Sequence, residues 1–515
     1  MSSAHLLGRK AVLLSVAAIL FLALFPQMFA MLAGPQPWNG SYFVSNYDEP
    51  AYSAYVNALI RGEPRKNDPF LGTADSPQTP QPETLYSVQF IPPYAIATPA
   101  RLLGITASTA FILLAAFIAV FSSLTIYRLL LDVTGDELIA VVGPVVVLCL
   151  GTAVGFQGEL RNLIDGRLLA DFFPYLRRYQ PGFAFPIFFL LCLFTWKAIV
   201  TESKGNLIKF SLAAGALFVV LVFSYFYLWT AAAAWLACFI IVSCLVDRSR
   251  SRQLLTASGL IGAIGAVALI PYFYLLSLRS PNLDSVQLLV HTRMPEFASP
   301  SMIVGILIAA AAIFLVRGSE MERERLPMIV SFALTPVILF NQQIITGRSL
   351  QPVHYELFIA NYLVLVAAML LAAAVRAQGG DTRPLRFQRG LVYLGVAAFG
   401  WGLFEAYGST NRGMTVAAIR DASVPVISAA SNDRSPAPMI LASNFVTADF
   451  IPTVGNARSF WNPHTSSAGG IGVAENKERF YKYLYFSGYT AKDLDAALRA
   501  NSFEVTAAIF GSERA

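Results

Sequence analysis

Charge is scarce in this sequence. Asp, Glu, Lys and Arg make up 13% of its 515 residues, where a soluble chain carries about a quarter. Apolar residues reach 56% and the mean hydropathy is +0.58. This excludes an ordinary soluble globule and points to a polytopic membrane protein, to which counting domains by length does not apply. Cysteine is equally sparse. Cys149, Cys192, Cys238 and Cys244 are all there is, and each falls within an apolar run. A disulfide framework and a thiolate metal centre are thereby excluded, and small buried hydrophobes are the reading that remains. Walker, dinucleotide-binding and zinc-protease motifs are missing. Gly259-Leu-Ile-Gly-Ala-Ile-Gly265 has a loose glycine spacing, but inside a spanning run such glycines serve close helix packing. The net charge of +6 calls for no nucleic acid, because much of the basic excess lies in short loops, where orientation signals belong.

What the chain does have is long apolar runs. A spanning helix needs about 20 such residues. The pattern predicts eleven spans, at about 11–33, 107–131, 138–156, 183–200, two within 208–246, 254–277, 301–316, 326–341, 356–376 and 390–407. Arg9 and Lys10 keep the N-terminus in the cytoplasm. Met31-Leu-Ala-Gly34 looks like a signal cleavage region, yet the length of the first run favours a retained anchor. Ile91 to Pro99 is broken by three prolines and reads as an interfacial or re-entrant piece. On this count the basic loops Asp247–Arg252, Arg317–Arg325 and Arg376–Arg389 lie inside, as the positive-inside rule requires. The expected fold class is an all-α polytopic membrane protein with a small C-terminal α/β extracytoplasmic domain. Residues 1–407 form the membrane domain, including a first outer loop at 34–90, and 408–515 form the outer domain. That tail alternates candidate strands (Pro438–Ser443, Val505–Phe510) with candidate helices (Ala474–Leu484, Ala491–Ala500).

Functional side chains concentrate on the outer side. The first outer loop holds Asp48-Glu49-Pro50, followed by Tyr52, Tyr55, Val56, Leu59 and Ile60 on one helical face. This predicts a short amphipathic helix on the membrane surface with an acidic pair at its tip. A helix cap accounts for the same pair without any chemistry. The loop after the third span carries Arg161, Arg167, Asp171, Arg177 and Arg178 among aromatics. Arginine forks suit phosphate oxygens, and a snorkelling girdle is the plainer role. A late outer loop, Asn341 to Glu356, gathers Arg348, His354 and Glu356, a concentration that suits a phosphate and a proton donor. His291-Thr-Arg293 repeats the idea more weakly. In the tail, Trp461-Asn-Pro-His464 and Phe480 to Tyr485 offer aromatic faces to a sugar, with core packing as their ordinary role.

The acidic pair in the first outer loop, about eleven spans, His354-Tyr-Glu356 late in the chain and a soluble tail together resemble the GT-C superfamily of integral-membrane glycosyltransferases. Asp48-Glu49 matches that superfamily's acidic first-loop motif. His354 and Glu356 are similar to its His-x-Glu motif, with Tyr355 where a basic residue is usual. The resemblance implies transfer of a hexosyl or pentosyl group from a polyprenyl-phosphate sugar to a glycan, lipid or protein acceptor at the outer face of a bacterial inner membrane. It implies inversion, with Asp48 as general base and Glu49 as a second acid. It implies donor contacts from Arg161, Arg177, Arg178, Arg348, His354 and Glu356. It leaves open a divalent cation, Mg or Mn, on Asp48 and Glu49. The competing readings are a ligase or polymerase of lipid-linked glycans, a transporter, and a scaffold whose tail is the working part.

Overall fold

The structure is a computed structural model that describes residues 3–166, 172–246, 250–280, 289–316, 320–378, 384–431, 437–500 and 509. Arg167, Asp171, parts of the three basic loops and nearly all of the expected strand at 505–510 lie outside the described residues.

Among the described residues nine helices are long and apolar enough to cross a membrane, running from Arg9–Ala33 to Leu385–Ser431. Two shorter apolar helices, Ala184–Val200 and Pro300–Leu315, take the places of the expected fourth and eighth spans. Every predicted span therefore has its helix. The last one differs in length. Expected to end near 407, it runs unbroken over Pro384–Ser431. Hydropathy falls away after Tyr407, but helicity does not. Thr410, Ala417, Arg420, Ile427 and Ser431 remain buried at spacings of about two turns or one, so side-chain packing sustains the helix beyond its apolar part.

The chain divides into two compact units. The first comprises Met1–Pro26, Ala115–Leu269 and His291–Ser409. It is a helical bundle in which Glu320–Asn341 packs against Phe226–Val246, Pro300–Leu315 and Asn361–Gln378. Ala184–Val200 packs along Lys204–Val222. Trp235, fully buried, stacks on Phe239 with ring centroids 5.4 Å apart. Helix ends are tied by charge. Lys197 Nζ lies 2.9 Å from Asp132 and Arg376 Nη1 lies 2.6 Å from Asp136.

The second unit comprises Gln27–Leu114, Ile270–Val290 and Thr410–Ala515. Its centre is the Glu49–Arg61 helix, which packs on the Ile91–Leu103 helix and on the Ile451–Thr453 turn. The Ile91–Leu103 helix has 13 residues, about 20 Å at 1.5 Å per residue, and is too short to span. The Glu49–Arg61 helix differs from the expected amphipathic surface helix. Every residue from Glu49 to Leu59 is buried. Its alternating small and aromatic residues are covered by the Ile91–Leu103 helix, the Asn67–Asp68 strand and the tail. Asn57 Nδ2 donates to the Pro452 and Gly455 carbonyls at 2.9 Å each. Gly62 ends the helix with φ +94° and donates to Leu59 O, a left-handed position that favours glycine. In the tail, Met439–Ile440 pairs in parallel with Arg458–Ser459. The helices Val473–Phe486 and Ala491–Arg499 follow. Trp461, Phe480, Tyr483, Leu484 and Ile509 form one buried cluster, so this aromatic stretch is core.

Candidate active site

The segment leading to Asp48 is held from both sides. Asp421, buried on the long helix, accepts from Asn39 N at 2.8 Å, Asn39 Nδ2 at 3.0 Å and Ser41 N at 3.1 Å. Gln27 donates to Ser41 O at 3.2 Å and accepts from Phe43 N at 2.6 Å. The Asn46 side chain then accepts from Asp48 N at 3.1 Å, an Asx turn that launches the helix. Pro50 occupies the first turn, where its missing N–H costs nothing.

The two adjacent acids meet opposite environments. Glu49 is fully buried, and its Oε2 accepts from Ser45 N at 2.8 Å. Asp48 takes the N-cap position without making a side-chain cap bond, and 40% of its side chain is exposed. Its Oδ1 lies 4.0 Å from Nε2 of His464. His464 is buried, and its Nδ1 lies 2.7 Å from Oδ1 of Asp449. A carboxylate accepts, so Nδ1 carries the proton and Nε2 presents a lone pair when the ring is neutral. That Nε2 has no hydrogen-bond partner among the described residues. The Tyr47 ring packs on the imidazole at 4.7 Å and Phe70 stacks on its side at 6.4 Å.

Local sequence explains each placement. Asn444 caps the short Phe445–Phe450 helix through Val446 N and Thr447 N, which carries Asp449 on its buried side. Asn462 accepts from His464 N at 2.9 Å, and Thr465 donates back to Asn462 O at 2.8 Å, fixing the turn that presents the imidazole. Arg420, also buried, has Asp449 and Glu49 as electrostatic neighbours. Tyr86 has Asp48 and Asp449 in the same sense, and burial holds its phenol well above the usual range.

Burial pulls the His464 imidazole down, but the Asp449 carboxylate and then Asp48 push it further up, so it titrates above the ordinary imidazole range. Asp68 accepts from Phe70 N and Leu71 N with Oδ1 alone. Its Oδ2 is buried without a hydrogen-bond partner among the described residues. Burial pushes this carboxyl up to about 6 against those two hydrogen bonds.

The other candidates from the sequence belong to the first unit. Arg177 is buried, donating through Nε to Gln180 O at 2.5 Å and through Nη2 to Tyr225 Oη at 3.0 Å, with its guanidinium 4.4 Å from the Phe358 ring. His354 packs edge-on against Tyr227 at 4.8 Å and against Phe358 at 5.1 Å. Arg177 and His354 thus share Phe358. Arg178 is buried. Arg161 pairs with Asp165 one turn on, at 3.3 Å. Arg348 is exposed. Glu356 is buried and accepts from Ser299 Oγ at 2.6 Å, Ser301 Oγ at 2.7 Å and Ser301 N at 3.1 Å, which ties it to the start of the Pro300–Leu315 helix.

The sequence offers His464, one of only four histidines, as part of an aromatic stretch for a sugar or the core, and not as a partner of Asp48; nothing in it singles out Asp449 or Arg420. As to a cation, no group of three or more His, Cys, Asp or Glu side chains is arranged for one among the described residues. Glu49 is enclosed and bonded to Ser45, and Asp48 is the half-exposed member of the pair.

The fold defines a polytopic helical membrane protein. A solved structure it is similar to is that of ArnT from Cupriavidus metallidurans bound to undecaprenyl phosphate, with a TM-score of 0.53 and 12% identity over 91% of this chain and 88% of that one. At that identity the likeness is one of fold. No protein-family model matches the sequence, and no curated protein matches it.

Proposed function

We propose that this protein is an integral-membrane glycosyltransferase that moves a hexosyl or pentosyl group from a polyprenyl-phosphate donor to an acceptor hydroxyl. The observation that carries this reading is the environment of Asp48. It is the accessible member of the acidic pair, and it stands before a buried histidine–carboxylate couple. The GT-C fold and the undecaprenyl phosphate bound by ArnT support the class of donor.

In this reading Asp48 removes the acceptor proton as the hydroxyl oxygen attacks the anomeric carbon. The phosphate leaves from the opposite face, so the centre inverts. Glu49 holds the loop through Ser45 and keeps Asp48 at the mouth of the site. Arg348 and His354 are assigned to the donor phosphate. Arg161, Arg177, Arg178 and Glu356 are assigned to holding that region in shape, since Arg161, Arg177 and Glu356 already have protein partners and Arg178 is buried. The acceptor is a glycan, lipid or protein, and the setting is a bacterial inner membrane with the site on its outer face. Purified protein incubated with labelled polyprenyl-phosphate sugars should consume one of them. The Asp48→Asn variant, at equal abundance, should consume it at least about a hundredfold more slowly. Equal turnover by both proteins would sink the reading.

A further inference from the structure

Behind Asp48 lies a second pair of ionisable groups that base catalysis by Asp48 alone does not use. His464 and Asp449 are both buried, are in hydrogen-bond contact at 2.7 Å, and come from separate turns of the tail. A buried imidazole costs free energy unless it is engaged, and here only one pole is. The open pole, Nε2, lies 4.0 Å from the Asp48 carboxylate. We propose that His464 and Asp449 form a proton relay behind Asp48, in which Nε2 of His464 receives the proton that Asp48 takes from the acceptor.

The inference rests on the transferase reading above. The acceptor O–H bond breaks and its oxygen bonds the anomeric carbon. The bond from that carbon to the phosphate oxygen breaks, and its electron pair leaves on the phosphate. The proton reaches an Asp48 oxygen and then Nε2, giving an imidazolium that the Asp449 carboxylate stabilises. A small rotation of the partly exposed Asp48 side chain brings the two groups to hydrogen-bond distance. Once product has left, the proton returns through Asp48 to water. The groups that face the imidazole are Asp449 from the Phe445–Phe450 helix, Asp48 from the first loop, and Arg420 from the long helix, with the Tyr47 and Phe70 rings on its sides. Two carboxylates outweigh one guanidinium, and the imidazole is accordingly a good proton acceptor. His464 and Asp449 act through Asp48 and are positioning residues by that measure.

The test uses the whole protein in lipid nanodiscs, labelled with 15N-histidine. With four histidines in the chain, His464 is assigned by its loss in His464→Gln. If that variant does not accumulate, replacing His5, His291 and His354 leaves His464 as the single signal. The imidazole should titrate above about 6.5. Asp449→Asn should lower it by about one unit or more, and Asp48→Asn by a smaller resolved amount, as loss of one nearby opposite charge does. A titration that Asp48→Asn leaves unmoved overturns the relay. In the transfer assay, kcat of the wild type should rise with pH through the same value, because the acceptor must be neutral. In His464→Gln that rise should vanish, with kcat down about tenfold to a hundredfold and KM unchanged. A changed KM with the pH profile intact would mean a structural role only and overturns the proposal. If no donor is consumed while the coupling to Asp48 is present, the transferase reading fails and the coupled pair stands.

Discussion

Nε2 of His464 and Oδ1 of Asp48 stand 4.0 Å apart, brought together from opposite ends of the chain. Their contact makes a candidate base out of one acid in a neighbouring pair and leaves the other as a structural strut.

The two acids should therefore fail in different ways. Asp48→Asn should accumulate and insert normally but lose about 10²-fold to 10⁴-fold in turnover, the usual share of a general base. Glu49→Ala should lose abundance and thermal stability instead, because the buried Glu49 side chain is removed and the half-buried Ser45 N loses its acceptor, at about 1 kcal/mol or more. Paired activity and thermal-shift measurements check this, and equal behaviour of the two variants would contradict the assignment.

Asp68 makes stability depend on pH. Its folded-state carboxyl is pushed up to about 6 by burial, above the ordinary value near 3.9. The folded state then binds this proton more tightly than the unfolded one, so its contribution is favourable at low pH and is lost as pH rises from about 4 to about 6. Asp68→Asn keeps an oxygen for Phe70 N and Leu71 N, and puts a neutral amide where the orphan oxygen stands. We expect greater stability at pH 8, by on the order of 2 kcal/mol and read as a higher melting temperature, and no gain at pH 4. A variant less stable than wild type at pH 8 would rule this out.

Arg65 and Glu83 form a two-pronged pair, Nη1–Oε2 at 2.7 Å and Nη2–Oε1 at 2.5 Å, with Glu83 buried. Glu83→Ala leaves a half-buried Arg65 that keeps only its bond to Ser87 O, and should cost about 1–3 kcal/mol, read as a lower denaturation midpoint. A shift near zero would place the pair among exposed surface bridges of little worth.

Arg348 is exposed, and its assigned role is contact with the donor phosphate. Arg348→Ala should raise KM for the donor about tenfold, equivalent to about 1.4 kcal/mol, with little change in kcat. Unchanged dependence on donor concentration would remove the phosphate role.

Much of the frame was legible in the residues, because crossing a hydrocarbon layer demands about 20 apolar residues in a row and such runs are local. All eleven were visible, and so was the short, proline-broken Ile91 to Pro99 stretch. The acidic pair was visible as well, since Asp48, Glu49 and Pro50 are consecutive. Which acid is exposed was not. Successive residues at a helix start point about 100° apart, and only the packing of the second unit turns Glu49 inward and Asp48 outward. The buried character of the Glu49–Arg61 helix was hidden for a similar reason, because the Pro452 and Gly455 carbonyls that receive Asn57 lie far along the chain. His464, Asp449 and Arg420 have no periodicity or spacing that links them to Asp48. Hydrophobic runs are written in neighbouring residues, whereas a proton-handling site is written in distances between segments, and those exist only once the chain has folded.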